Sequence, residues 1–397
     1  RRQRQMCIRD RNPSTRVEYL GANKDFTPMS MNMSTHAMNY GSWADWDWLK
    51  ANVPVMCNWD GGIDYFLDPD DYTKKADGTN SDAANIDYAG DAMAIVKKIY
   101  KKEYKVGNDR YVYFCERKVD DDFHAIGFNV LGKERDYMLI PMFYGSIDSN
   151  GKMRSIAGQW SCLTASGSAA DSATGKAIGT AEQYTAIQAA SSKALFFGGA
   201  LTNTLADICI LLSKSTDSQT AFGSGMCSTY VEDKTQHYGT KINTVIGGGQ
   251  FYGSNDNKSF NKIFHSCVMG SYMLWQRDPY MLLINGRIKV SPDYTYDLTG
   301  AKYLDTGVNL AKNGYYATTQ VVKDFGAVPN DEIACSSATG YCDHTWVNAE
   351  IPAVSLRFGG CHRGAHDGLW ARALNVVAAN AWWNCGASKL LPAPAAA

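Results

Sequence analysis

Four residues in a short stretch, Cys361, His362, His366 and Asp367, carry side chains from which zinc sites and nucleophilic centres are built. His362 and His366 have the i, i+4 spacing that would put two imidazoles on one helix face. Gly364 and Gly368 argue against a helix there, so the spacing does not make a ligand pair. Asp120, Asp121 and Asp122 with His124 offer the oxygen ligands a hard cation takes, but contiguous carboxylates converge on an ion only in a shaped loop. They read as a solvated charge run. Gly247 to Gly249 lacks the Lys-Ser/Thr that completes a phosphate-binding loop and reads as a turn. Ser224, between Gly223 and Gly225, lacks the nucleophile-elbow pattern, and no His or Asp can be tied to it. No catalytic residue, metal or cofactor is expected.

The residues around Cys361 have a pattern of their own. Residues 354–391 read VSLRFGGCHRGAHDGLWARALNVVAANAWWNCGASKLL. Gly359, Gly360, Gly364, Gly368 and Gly386, with Trp370, Leu374, Trp382 and Trp383, suit a loop-rich segment pinned by aromatics. Between those pins the side chains share no chemistry. A core would show apolar periodicity and an active site complementary roles, so a rigid frame carrying unrelated residues points to a binding surface.

This segment resembles the variable region of proteins diversified by retroelements, whose C-type lectin fold is shared with the formylglycine-generating enzyme family. The likeness rests on Leu356 to Gly360, the glycine-spaced loop to Gly368, the Leu374-Asn375 pair and the Asn380 to Asn384 run before Gly386. In that family, adenines in asparagine-type codons are randomised while scaffold codons stay constant. The resemblance implies a variable, ligand-binding set of Cys361, His362, Arg363, Ala365, His366, Asp367, Ala371, Ala373, Val376 and Cys385. Each can be reached from an AAC or AAT codon by changing adenines alone; tryptophan and lysine cannot. Trp370, Trp382, Trp383 and Lys389 accordingly lie at scaffold positions. The oxidase relatives work with a cysteine pair close to copper. Here Cys361 and Cys385 fall at variable positions, so no enzymatic activity is expected.

The resemblance further implies a receptor-binding protein of a phage virion, at the tail or fibre tip, made in the bacterial host cytoplasm. Its partners would be a host cell-surface protein or glycan and other tail proteins, and a homotrimer would multiply a weak site by avidity. Two other classes stay open: a formylglycine-generating type of oxidase and a structural virion decoration protein. Upstream, the likeness extends less sharply through residues 200–213, 261–280 and 285–291.

The elements that must carry this segment follow from the rest of the chain. At 397 residues, 45% hydrophobic and 20% charged, it has the composition of a globular protein with a real core. Twenty-three Tyr, 10 Trp and 36 Gly favour short strands and long ordered loops. The expected class is α+β, and the resemblance implies a loop-rich C-type lectin fold over residues 121–392, preceded by a β-rich attachment region over residues 12–120 and followed by a tail at 393–397. Residues 1–11, RRQRQMCIRDR, resemble translated sequencing-adapter read-through; without them 34 basic residues face 39 acidic, a charge of -5. That balance gives no reason to expect nucleic-acid binding, and no apolar run reaches membrane-spanning length.

Locally, Gly107-Asn108-Asp109 predicts a hairpin, Gly132-Lys133 and Asn285-Gly286 predict turns, and 158–179 predicts a surface loop. Helices are expected over 181–193, with Thr180 as N-cap and Gln183 completing a capping box, and over 200–213, with Leu201, Leu205, Ile208 and Leu212 on a core face. The eleven cysteines form no CxxC pair. Cys335 and Cys342 are read as free thiols in preference to a loop-closing disulfide.

Overall fold

Burial alternates along Asp109–Phe114, with Arg110, Val112 and Phe114 inward, and the strand Asp109–Cys115 pairs antiparallel with Tyr100–Val106 as the hairpin predicted around Gly107. The computed structural model describes residues 4–11, 14–159, 178–228, 247–256, 260–310, 316–335, 341–382 and 384–394. The expected surface loop at 158–179 falls almost wholly outside them, and so does Trp383.

Three larger antiparallel-dominated sheets and a buried helix organise the chain, which makes it α+β and loop-rich. The first sheet runs Ser14–Tyr19, Arg4–Arg11, Asp109–Cys115, Tyr100–Val106. Residues 4–11, read as foreign sequence, thus form an interior strand with Met6, Cys7 and Ile8 buried, which does not match a place outside the fold.

The second sheet runs Leu195–Phe196, Lys389–Pro392, Tyr137–Pro141, Gly90–Lys97, Pro54–Asn58, Ile63–Phe66. Strands from both sides of the expected boundary at residue 120 therefore hydrogen-bond to one another: Met138 is in register with Val96 on one side and Pro392 on the other. The division into 12–120 and 121–392 is corrected accordingly, because a sheet shared across it buries both parts in one core. The expected tail also begins later, since Ala393 is buried and its amide donates to the Tyr137 carbonyl at 3.0 Å.

The third sheet runs Leu304–Asn309, Arg287–Val290, Trp275–Ile284, Ala353–Arg357, Arg372–Leu374, Thr345–Val347, with Cys385–Gly386 parallel to Trp275–Ile284. The turn at Asn285-Gly286 forms with both residues at positive φ, 51° and 74°, as a two-residue hairpin requires. Pro279 cannot donate to the ladder, and the register with Ala353–Arg357 shifts between Asp278 and Leu282.

Between these layers runs the helix Gly199–Ser213, close to the expected span. Every residue from Gly199 to Leu212 is buried, including the core face Leu201, Leu205, Ile208 and Leu212, and a helix covered on all sides needs no polar face. The preceding helix spans Thr180–Ala190. Its N-cap is Gly179 rather than Thr180, whose hydroxyl meets Arg277 instead, and Gln183 donates to the Cys385 carbonyl at 3.0 Å, so the capping box does not form.

Polar side chains on the buried helix are tied to distant strands. Asp207 accepts from Arg110 Nη1 at 2.7 Å and pairs with Lys101 Nζ at 2.6 Å, while Asn203 Oδ1 accepts from Arg357 at 3.0 Å and Arg372 at 2.7 Å. Buried charges without such partners would cost several kcal/mol each, so this network also fixes how helix and strands register.

Candidate ligand-binding surface

Strand Ala353–Arg357 leads into the loop 358–371, whose shape is held from below at many points. Gly368 N donates to the Phe358 carbonyl and Phe358 N to the Ala371 carbonyl, both at 3.1 Å, closing the loop on itself. Cys361 N donates to the Met273 carbonyl at 3.0 Å and Gly364 N to the Cys227 carbonyl at 2.9 Å. The Gln219 amide reaches two loop carbonyls, Gly364 and Asp367, each at 2.8 Å.

The glycines are required by what lies against them. At Gly359, φ is 106° and an added Cβ would stand 1.8 Å from Asp367 Oδ1; at Gly368 it would stand 2.1 Å from Asp343 Oδ1. Asp367 Oδ1 accepts the Gly360 amide at 3.1 Å and Asp343 Oδ2 accepts the Trp370 amide at 2.7 Å. Burial pushes both carboxyls well above the usual carboxylate range.

Four of the ten residues expected to be variable reach the surface: Ala365 and His366 are exposed, His362 and Arg363 half-buried. Cys361, Asp367, Ala371, Ala373, Val376 and Cys385 are buried, which corrects their reading as displayed side chains. The reason is packing. Ala373, Val376 and Cys385 form a small core with Trp275 and Leu356; Ala373 lies in, and Ala371 just before, the strand Arg372–Leu374, whose neighbours are Ala353–Arg357 and Thr345–Val347. Burial pushes the Cys385 thiol up to about 11, the direction opposite to an activated nucleophile.

Among the frame residues, Gly359, Gly360, Gly368, Trp370, Leu374 and Gly386 are buried and Gly364 is half-buried. Trp370 lies in the floor, 4.4 Å from Tyr341 between ring centroids. Trp382 is corrected: it is 51% exposed and presents its ring outward instead of supporting the loop. Trp383 lies outside the described residues.

The accessible residues meet others that motif reading did not single out. His344 and Trp346, from the strand region at 344–347, stand beside the loop. The His344 and His366 rings are 5.0 Å apart, His344 and Trp346 are 4.2 Å apart, and the Arg363 guanidinium lies 5.0 Å over the Trp346 ring. Trp346 packs edge-on against Trp275 at 5.5 Å, linking this patch to the small core below. Burial, then the neighbouring His366 and Arg363, hold the His344 imidazole down at about 4. The result is a patch of imidazoles, an indole and a guanidinium, able to stack against flat or apolar groups and to pair with acidic ones. The parallel pairing of Thr345–Val347 with Arg372–Leu374 brings His344 and Trp346 here, and no local sequence signal marks it.

The other candidates resolve simply. Lys102 pairs with Asp122 at 2.5 Å and Lys118 with Asp121 at 2.8 Å, all on the surface. No cluster of metal-ligating residues occurs among the described residues. Cys342 is a free thiol. No helix among the described residues is long and apolar enough to cross a membrane.

The chain matches no family model and no curated protein.

Proposed function

We propose that the chain is a receptor-binding protein of a phage virion, with a C-type lectin fold whose loop 358–371 carries a retroelement-diversified surface. The observation that carries this reading is the division within that loop. Backbone and glycines are held by Asp343, Asp367, Gln219 and Met273, while Ala365 and His366 are exposed and His362 and Arg363 half-buried on the outer side of the same loop. Such a loop tolerates exchange of its outward side chains, since exposed substitutions usually change stability by about 0.5 kcal/mol or less.

On this reading the displayed set is smaller than the codon pattern alone suggests. The ligand is a host cell-surface protein or glycan with acidic groups facing Arg363 and a flat or apolar face against Trp346. Assembly as a homotrimer with other tail proteins would raise avidity at each weak site. The purified full chain should bind intact host cells saturably and compete with adsorption of the phage. Flanking DNA should hold a reverse transcriptase gene and a near-copy of the segment encoding residues 354–391 that differs only at adenines. Saturable oxidation of a peptide cysteine with copper, and no cell binding, would support the oxidase class instead.

A further inference from the structure

The hairpin formed by Ser30–Asn32 and Ala37–Asn39 has the sequence SMNMSTHAMN, which gathers three of the chain's 14 methionines and a histidine into ten residues. Met31 is in register with Met38, and Met33 and His36 come next along the two arms. Burial separates the faces: these four residues are half-buried, while every other residue from Ser30 to Asn39 is exposed. The alternation puts three thioethers and one imidazole on the covered face. Directly opposed residues of paired strands hold their Cβ atoms about 4.5–5.5 Å apart, within reach of a shared ion for side chains as long as methionine.

Two contacts bring that face against one glycine. His36 Nδ1 lies 3.0 Å from the Gly253 carbonyl oxygen, and a Cβ on Gly253 would stand 2.7 Å from Met31 Cγ. A carbonyl can only accept, so Nδ1 carries the proton and the lone pair of the neutral ring is left on Nε2. The Tyr252 ring stacks on the imidazole at 4.7 Å and holds its plane. An imidazole tied through one nitrogen to a backbone carbonyl, with the other free, is how metal-ligating histidines are oriented. Met31 and Met38 also pack on the core, so the hairpin keeps its place without an ion.

Strands fill such half-buried positions more readily with β-branched and aromatic side chains, which offer no donor. The clusters absent from the described residues are those of imidazole, thiol and carboxylate groups. Thioethers are a softer set and select a different metal, Cu(I) above all.

We propose that this hairpin binds one soft monovalent cation of the Cu(I) class through His36 Nε2 and the thioethers of Met31, Met33 and Met38. The site shares no residue with the cysteines at 361 and 385 and involves no redox step. Binding would fasten the turn of the hairpin to the segment 251–253, and it is independent of the ligand that loop 358–371 takes.

The test uses the full chain with Ag(I), an air-stable ion of the same charge and softness, in chloride-free buffer. With the methionine methyl groups labelled with carbon-13, one equivalent of Ag(I) should shift the signals of Met31, Met33 and Met38 and leave the other methionines in place. Met33→Leu conserves side-chain volume, and His36→Asn keeps a residue that tolerates the φ of 60° at this position. Each should weaken Ag(I) binding by about tenfold or more while the metal-free melting temperature stays nearly constant. Methyl signals of the three methionines that ignore Ag(I), or Ag(I) affinity unchanged in both variants, would overturn the proposal.

Discussion

The backbone amide of His344 donates to the carbonyl of His366 at 2.9 Å, and the two imidazole rings lie 5.0 Å apart, tilted by 58°. Residues 22 positions apart are thereby joined at one spot, and the displayed loop acquires a neighbour that does not belong to it. With Arg363 over Trp346, this gives the surface a centre at which binding energy can concentrate.

Arg363→Ala should therefore weaken binding to host cells by about tenfold or more, the scale of a central interface residue. Ala365→Ser, at an exposed position on the same loop, should change it little. Cell-binding isotherms of the two variants, with matched thermal melts, check this; equal binding by both would remove Arg363 from the centre.

Gly359→Ala should destabilise the protein by about 2–4 kcal/mol, because the new methyl would meet Asp367 Oδ1 and the backbone there has φ of 106°. Urea unfolding measures it. A change below about 0.5 kcal/mol would show that the loop is not held against Asp367.

Asp207→Asn should cost about 3–5 kcal/mol, since Lys101 and Arg110 would share the loss of a fully buried carboxylate. The effect should appear as cooperative loss of structure in both the first sheet and the buried helix, followed by hydrogen exchange of their amides.

A pH dependence follows from a second buried cluster. Lys262, which bonds the Gly247 carbonyl and the Tyr72 hydroxyl, is pushed down to about 7 by burial, and His265 beside it to about 3 by burial and by Lys262. Tyr72, Cys267 and Asp70 are the other titratable groups acting on them. Both bases bind protons more weakly when folded, so stability rises with pH through each window: about 3 to 6.5 for His265 and about 7 to 10.5 for Lys262. From pH 7 to about 8.5, before unfolded thiols ionise, the melting temperature should rise. In Lys262→Met that rise should be flattened; a parallel rise in both proteins would assign it elsewhere.

Local chemistry in the sequence located the hairpin at Gly107, the turn at Asn285-Gly286, the helix Gly199–Ser213 and the glycines that shape the loop. Each depends on a few adjacent residues. Burial of Ala373, Val376 and Cys385 was not legible, because it is set by Trp275 and Leu356 from other strands. A boundary at residue 120 was expected because the resemblance fades upstream of it, and the pairing of Met138 with both Val96 and Pro392 removes it. Asp343, His344 and Trp346 carry no motif and enter the site only through the parallel pairing with Arg372–Leu374.

The most direct measurement exchanges His362, Arg363, Ala365 and His366 together in the full chain and records host-cell binding alongside the thermal melt. The account predicts binding lost or redirected to other cells with melting nearly unchanged. Binding to the original host retained at full strength by a folded variant would contradict it.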